Sequence, residues 1–259
     1  MKFVHLIQNE MMKINAKKQT VLFFSLLAVL VLLAGLVGKL YATDLTNGIG
    51  YTGFSIFMHI GLSFLITLFG LVIGAQILTD EYKEGTIKQL LIRPSSRTTI
   101  LLSKYVTVLI MLVAATLFLL LFSSLVGLIF FGTKSMADLD FNMLLQGYIY
   151  SIPALLFLAT LSFFTATIFK TNALAISVAI IANFSGSIAS MFTKKYAWGK
   201  FVIFNHLDLN AYSHNPLISR LATPAYPELG IWFSLMIIII YIALMVFLSI
   251  LIFKKRDVQ

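Results

Sequence analysis

His59 falls inside one long apolar run and Asn183 inside another, so each puts a hydrogen-bonding group where hydrocarbon surrounds it. In lipid such a group seeks a partner on a neighbouring helix or faces a water-filled cavity. Both are therefore candidates for lining a substrate cavity, and a packing hydrogen bond between helices explains them as well. His206 and His214 lie eight residues apart with Asp208 between them, which is too few donors for a zinc site, and no metal is expected. Gly35-Leu36-Val37-Gly38-Lys39 has the flavour of a phosphate loop. Its spacing is too short, and Leu40 stands where a Ser or Thr would bind magnesium, so the chain is not expected to bind or hydrolyse ATP itself. Paired acids, a Ser/Lys pair and buried carboxylates are missing from the apolar runs, so intramembrane catalysis and ion-driven transport lack their usual residues. No catalytic residue is expected.

The elements that must hold these groups are membrane spans. The chain has 259 residues, of which 59% are hydrophobic and 11% charged, which leaves no room for a sizeable soluble domain. Six apolar runs, near residues 20–38, 54–78, 105–131, 143–169, 173–192 and 229–253, are each long enough to cross a bilayer. A hydrocarbon core of roughly 30 Å takes about twenty helical residues. The runs lack the alternation of barrel strands, and only helices satisfy their own backbone over such lengths. The first run is too long for a signal-peptide core and has no small-residue cleavage site, so it reads as a retained span. Pro153 is expected to kink the fourth span. The fold class is an all-α polytopic membrane protein forming one domain over residues 1–259.

Residues 1–19 precede any span. Phe3, Leu6, Ile7, Met11 and Ile14 recur at helical spacing and Lys13, Lys17 and Lys18 follow, which predicts an interfacial elbow helix lying along the bilayer. With the N-terminus inside, thirteen of the nineteen basic residues face the cytoplasm, which puts both termini on that side. The basic residues bracket spans instead of forming a stripe, so the net charge of +9 reads as membrane orientation and no nucleic-acid partner is expected. The absence of cysteine excludes disulfides and thiolate chemistry.

The longest charged stretch, residues 79–104, has both ends fixed at the cytoplasmic face by spans two and three. On a helical wheel Tyr82, Thr86, Ile87, Leu90 and Leu91 share one side and Glu81, Glu84 and Lys88 another, before Arg93-Pro94 breaks the helix. Physically this is either a handle for a soluble partner or an amphipathic loop lying on the lipid. On the external side, residues 193–228 place Trp198, Phe201, Val202, His206 and Leu209 at helical spacing, with a second short apolar piece at 217–222. Small residues favour close helix packing at Gly70 and Gly74 in span two and along span five, where Ala182, Ser185, Gly186 and Ala189 are prominent.

Glu81-Tyr82, Gly85-Thr86, Leu90-Leu91, Pro94, Arg97 and Lys104 resemble the cytoplasmic segment of ABC-2 type permeases, the membrane subunits of ATP-driven exporters. The resemblance implies that Glu81, Tyr82, Glu84, Gly85, Thr86, Leu90, Leu91, Pro94 and Arg97 form a coupling helix. That helix docks into a separate ATP-binding subunit, present in two copies, which alone holds ATP and Mg. It further implies a bacterial cell-membrane protein with an elbow helix before the first span and short external helices closing the outer mouth. A second permease copy would complete a homodimer through spans one and five, with Ala182, Ser185, Gly186 and Ala189 at the interface. The expected cargo is amphipathic or hydrophobic: a peptide, toxin or drug. The alternative within the family is an immunity or sensing module that removes or detects membrane-active peptides such as lantibiotics or bacitracin.

Overall fold

The computed structural model describes residues 3–41, 49–85, 96–133, 140–213 and 223–255. The described residues form helices α1 (Phe3–Ala16), α2 (Gln19–Tyr41), α3 (Gly50–Lys83), α4 (Arg97–Phe131), α5 (Phe141–Phe169), α6 (Asn172–Thr193) and α7 (Gly230–Lys255). Helices α2 to α7 are the six expected spans, each long and apolar enough to cross a bilayer. No strand occurs among the described residues. The short helix α1 carries its apolar side against α2 and α4, with Leu6 buried. We call the end of the bundle that carries α1 and Lys255 the terminal face, and the other end the far face.

Helix α3 is the hub. It packs most extensively on α5 and α4 through a core that includes Ile66, Leu78, Val108, Leu119 and Phe163. Close approach requires glycine at its contacts: a Cβ at Gly74 would lie 2.8 Å from the Ala159 carbonyl oxygen of α5, and one at Gly70 would meet the Leu112 side chain of α4. Ser162 adds a polar tie by donating to the Leu71 carbonyl at 2.6 Å. The small pair in span two therefore serves packing within the chain. Pro153 is accommodated inside α5, which runs unbroken from Phe141 to Phe169.

Helices α2 and α6 lie at the periphery and leave broad apolar surfaces uncovered. On α6 these include Ile181, Phe184 and Ile188. A membrane span surrounded by hydrocarbon needs no apolar partner to be stable, so such faces suit lipid or another helix.

Two expectations about helix extent are corrected. The second and third spans do not stop at residues 78 and 105; α3 runs on to Lys83, and α4 starts at Arg97. Once nucleated in the apolar slab, a helix adds residues at little further cost, so it continues until a stop signal. For α3 that stop is Gly85, whose φ of +67° is a left-handed conformation typical of a helix C-terminus. For α4 the start is Ser96, whose Oγ accepts from the Thr99 N–H at 3.1 Å. Residues 81–83 are thus the last turn of a span and do not open a separate amphipathic helix. Thr86, Leu90, Leu91 and Pro94 lie outside the described residues, as do His214 and the apolar piece at 217–222.

The far-face segment before α7 is also built differently from expectation. Its helical spacing resolves into short 3₁₀ turns, Ala197–Phe201, Ile203–Asn205 and Leu209–Tyr212, in place of one continuous helix. Trp198 and Phe201 are exposed, while His206 and Leu209 turn inward.

Candidate functional site

Where α3 and α4 leave the slab at the terminal face, four charged residues from three helices meet. Lys104 of α4, fully buried, points its Nζ at Glu10 Oε2 of α1 (2.7 Å) and at Glu81 Oε1 of α3 (3.0 Å). Lys13 of α1 closes the group, 2.7 Å from Glu81 and 3.2 Å from Glu10. Two ammonium groups against two carboxylates leave the quartet neutral, which makes burial of Lys104, Glu10 and Glu81 tolerable. Partial burial works against charge on Lys13, but its hydrogen bond to Glu81 and the charges of Glu10 and Glu81 outweigh this and hold its pKa above the ordinary lysine value. One turn further out, Lys17 reaches Asp80 at 2.6 Å and Glu84 at 3.8 Å. The elbow helix is thereby clamped to the base of the α3–α4 connection.

The described members of the expected coupling segment, Glu81, Tyr82, Glu84, Gly85 and Arg97, divide into three groups. Glu81 and Tyr82 turn inward: Glu81 into the quartet, and Tyr82 against the core with the Lys170 ammonium 5.7 Å from its ring centre. Arg97 reaches across to α7, its Nη1 donating to the Lys254 carbonyl at 3.2 Å. The exposed residues are Glu84 and Gly85. Gly85 has open space around the site of a Cβ, so its backbone conformation and not crowding explains the residue type.

Of the two polar groups in the spans, His59 is buried between α3 and α5. Its ring packs 4.1 Å from that of Tyr148. Nδ1 has no hydrogen-bond partner. Beside it Tyr148, Ser55 and Ser123 share hydrogen bonds of 2.6–3.2 Å, forming a polar knot among α3, α4 and α5. Asn183 instead lines a far-face cavity of about 400 Å³ with Ser187, Ser190, Asn205 and Asp208.

The four residues expected at a dimer interface do not share one fate. Ser185 is exposed and Ala182 and Ala189 are partly exposed, but Gly186 is buried under Phe204 of the chain's own far-face segment. A Cβ there would overlap that ring, so Gly186 is small for a reason internal to the chain. His206, considered for metal binding, has both ring nitrogens occupied: Nε2 donates to the Lys200 carbonyl at 2.9 Å, so Nδ1 accepts from Ser234 Oγ at 2.8 Å. No group that could hold a metal ion occurs among the described residues.

Six long apolar helices around a packed core define a multi-pass membrane protein. A family model described as "Protein of unknown function (DUF2705)" matches residues 26–259, and the chain belongs to that family. It is 31% identical over 227 residues to the "Uncharacterized protein YhcI" of Bacillus subtilis (strain 168), covering 80% of this chain and 70% of that one. It is 28% identical over 257 residues to the "Uncharacterized membrane protein YdbK" of the same strain, covering 96% of this chain and 100% of the relative.

Proposed function

We propose that the chain is the membrane-spanning permease subunit of an ABC-2 type exporter, driven by a separate ATP-binding protein. The observation that carries the reading is the path from the α3–α4 connection into the core. Residues 84–96 join two helices that run directly into the packed centre, and their base is clamped to α1 by Lys104, Glu81, Glu10 and Lys13. A push on this connection moves α3, α4 and α1 together, as a transmission element requires. Charge placement supports the same reading. Every Asp, Glu, Lys and Arg in the described spans lies near a helix end, so an external energy source suits the chain better than ion coupling.

In this account the terminal face is cytoplasmic. Glu84, Gly85 and the residues up to 95 meet the ATP-binding protein, while Glu81, Tyr82 and Arg97 brace the connection from behind. A second copy of the chain pairs through α6, using Ala182, Ser185 and Ala189 together with the exposed Ile181 and Ile188. The cavity between the copies then carries amphipathic or hydrophobic cargo outward.

Gentle purification of the full chain from its host tests this reading. A stoichiometric ATP-binding protein that is lost when residues 84–95 are replaced by a Gly/Ser linker supports it. Purification of the chain without such a protein, under conditions that keep other membrane complexes intact, would overturn it.

A further inference from the structure

A cavity of about 420 Å³ opens at the terminal face between α1, the first turn of α2 and the last turns of α3. Its α3 wall changes character along the helix. Ile73 and Ile77 lie on the side towards the slab, and Asp80 and Glu84 follow at helical spacing towards the face. Eleven helical steps of about 1.5 Å from residue 73 to residue 84 make that wall roughly 16 Å long. A wall that is apolar at one end and charged at the other fits an amphiphile seated at the membrane interface.

Two further observations define the headgroup. Thr20 lines the cavity and is 5% exposed, and its hydroxyl has no hydrogen-bond partner, although buried donors are normally satisfied. It lies in the first turn of α2, where a candidate span begins. Among the described residues, charges around the cavity do not cancel: carboxylates Glu10, Asp80, Glu81 and Glu84 face ammonium groups Lys13, Lys17 and, from behind, Lys104. Glu84 is the least neutralised of the four, because it shares Lys17 with Asp80 and stands 3.8 Å from that ammonium against 2.6 Å for Asp80.

We propose that this cavity binds one phospholipid of the adjoining leaflet and selects a headgroup carrying a primary ammonium, as in phosphatidylethanolamine. The ammonium meets Glu84, the phosphate meets the remaining N–H donors of Lys17, an ester carbonyl accepts from Thr20, and an acyl chain lies along Ile77 and Ile73. Phosphatidylglycerol brings no cation to Glu84. Phosphatidylcholine brings one without an N–H to donate. The proposal stands independently of any ATP-binding partner.

Native mass spectrometry of the full chain tests it, after reconstitution in vesicles containing equal amounts of phosphatidylethanolamine, phosphatidylcholine and phosphatidylglycerol. One retained phosphatidylethanolamine per chain is expected, enriched several-fold over the other two. Glu84→Gln, a change at an exposed side chain, should abolish the enrichment over phosphatidylcholine. Ala16→Trp, which fills the mouth from the exposed end of α1, should release the lipid altogether. Equal retention of the three lipids, no retained lipid, or a preference unchanged in both variants would overturn the proposal.

Discussion

Lys104 and Glu81 lie twenty-three positions apart, near the terminal-face ends of adjoining helices, and their side chains meet at 3.0 Å with the lysine fully buried. Between them runs the most charged stretch of the chain, so this contact closes the base of the loop that faces the terminal side. Glu10 and Lys13 join the pair from α1. The result is a neutral group in which each charge depends on the others.

Lys104→Met should be strongly destabilising, by about 3–5 kcal/mol, because it strands two carboxylates with one lysine. The double variant Lys104→Met, Glu81→Gln leaves Glu10 with Lys13 and should recover most of the loss. Thermal unfolding of the purified variants in one detergent checks both. A double variant no more stable than the single would contradict the neutral-quartet account.

Gly85 adopts a positive φ, which glycine accepts freely and asparagine better than most residues. Gly85→Ala is expected to cost about 1 kcal/mol and Gly85→Asn less, with Gly85→Val the most harmful of the three. The ordering should appear in thermal midpoints. A size-only ordering, with Asn worse than Ala, would show that crowding governs the position.

Gly186 and Ser185 are neighbours in sequence with opposite surroundings. Gly186→Leu drives a side chain into Phe204 and should destabilise the far-face segment by about 1–3 kcal/mol or more. Ser185→Leu should leave the fold intact and alter self-association instead. Crosslinking and thermal unfolding of the two variants separate these effects.

Burial holds the His206 imidazole below its ordinary value of 6.5, against the Lys200 carbonyl, which favours the protonated ring. The unfolded segment therefore binds a proton more readily than the folded one. Stability from this residue is present above pH 6.5 and declines as pH falls towards the folded value. Protection factors for hydrogen exchange across the 3₁₀ turns Ala197–Phe201 and Leu209–Tyr212, taken against the base-catalysed intrinsic rate at each pH, should be lower at pH 5 than at pH 7.5. His206→Gln should flatten that dependence.

The architecture was legible in the sequence because a hydrocarbon slab imposes one requirement, about twenty consecutive apolar residues, that local composition reports directly. Helix ends were less legible. Apolar character falls off at residues 78 and 105, but backbone hydrogen bonding does not, and the true stops depend on the φ of Gly85 and the cap at Ser96. The charged quartet left little local mark, since Glu10 and Lys104 lie ninety-four positions apart and Lys104 reads alone as an ordinary charge near a span end. A hint did exist in α1. Glu10 stands one helical turn from Leu6 and from Ile14, on the apolar side of the element, where a carboxylate calls for a cation on the neighbouring surface. Along α6 the stripe of small residues was visible, but not that Phe204 returns to cover Gly186.

Site-directed crosslinking tests the central claim most directly, because the chain has no cysteine and any single introduced thiol is unique. Glu84→Cys and Ser96→Cys flank the connection at the terminal face, while Gly132→Cys and Ser213→Cys lie at the far face. The account predicts that the first two crosslink in membranes to an ATP-binding protein, that ATP alters the yield, and that the far-face positions do not react with it. Failure of residues 84 and 96 to capture such a protein, when the variants are folded and their thiols are accessible, would contradict the permease reading.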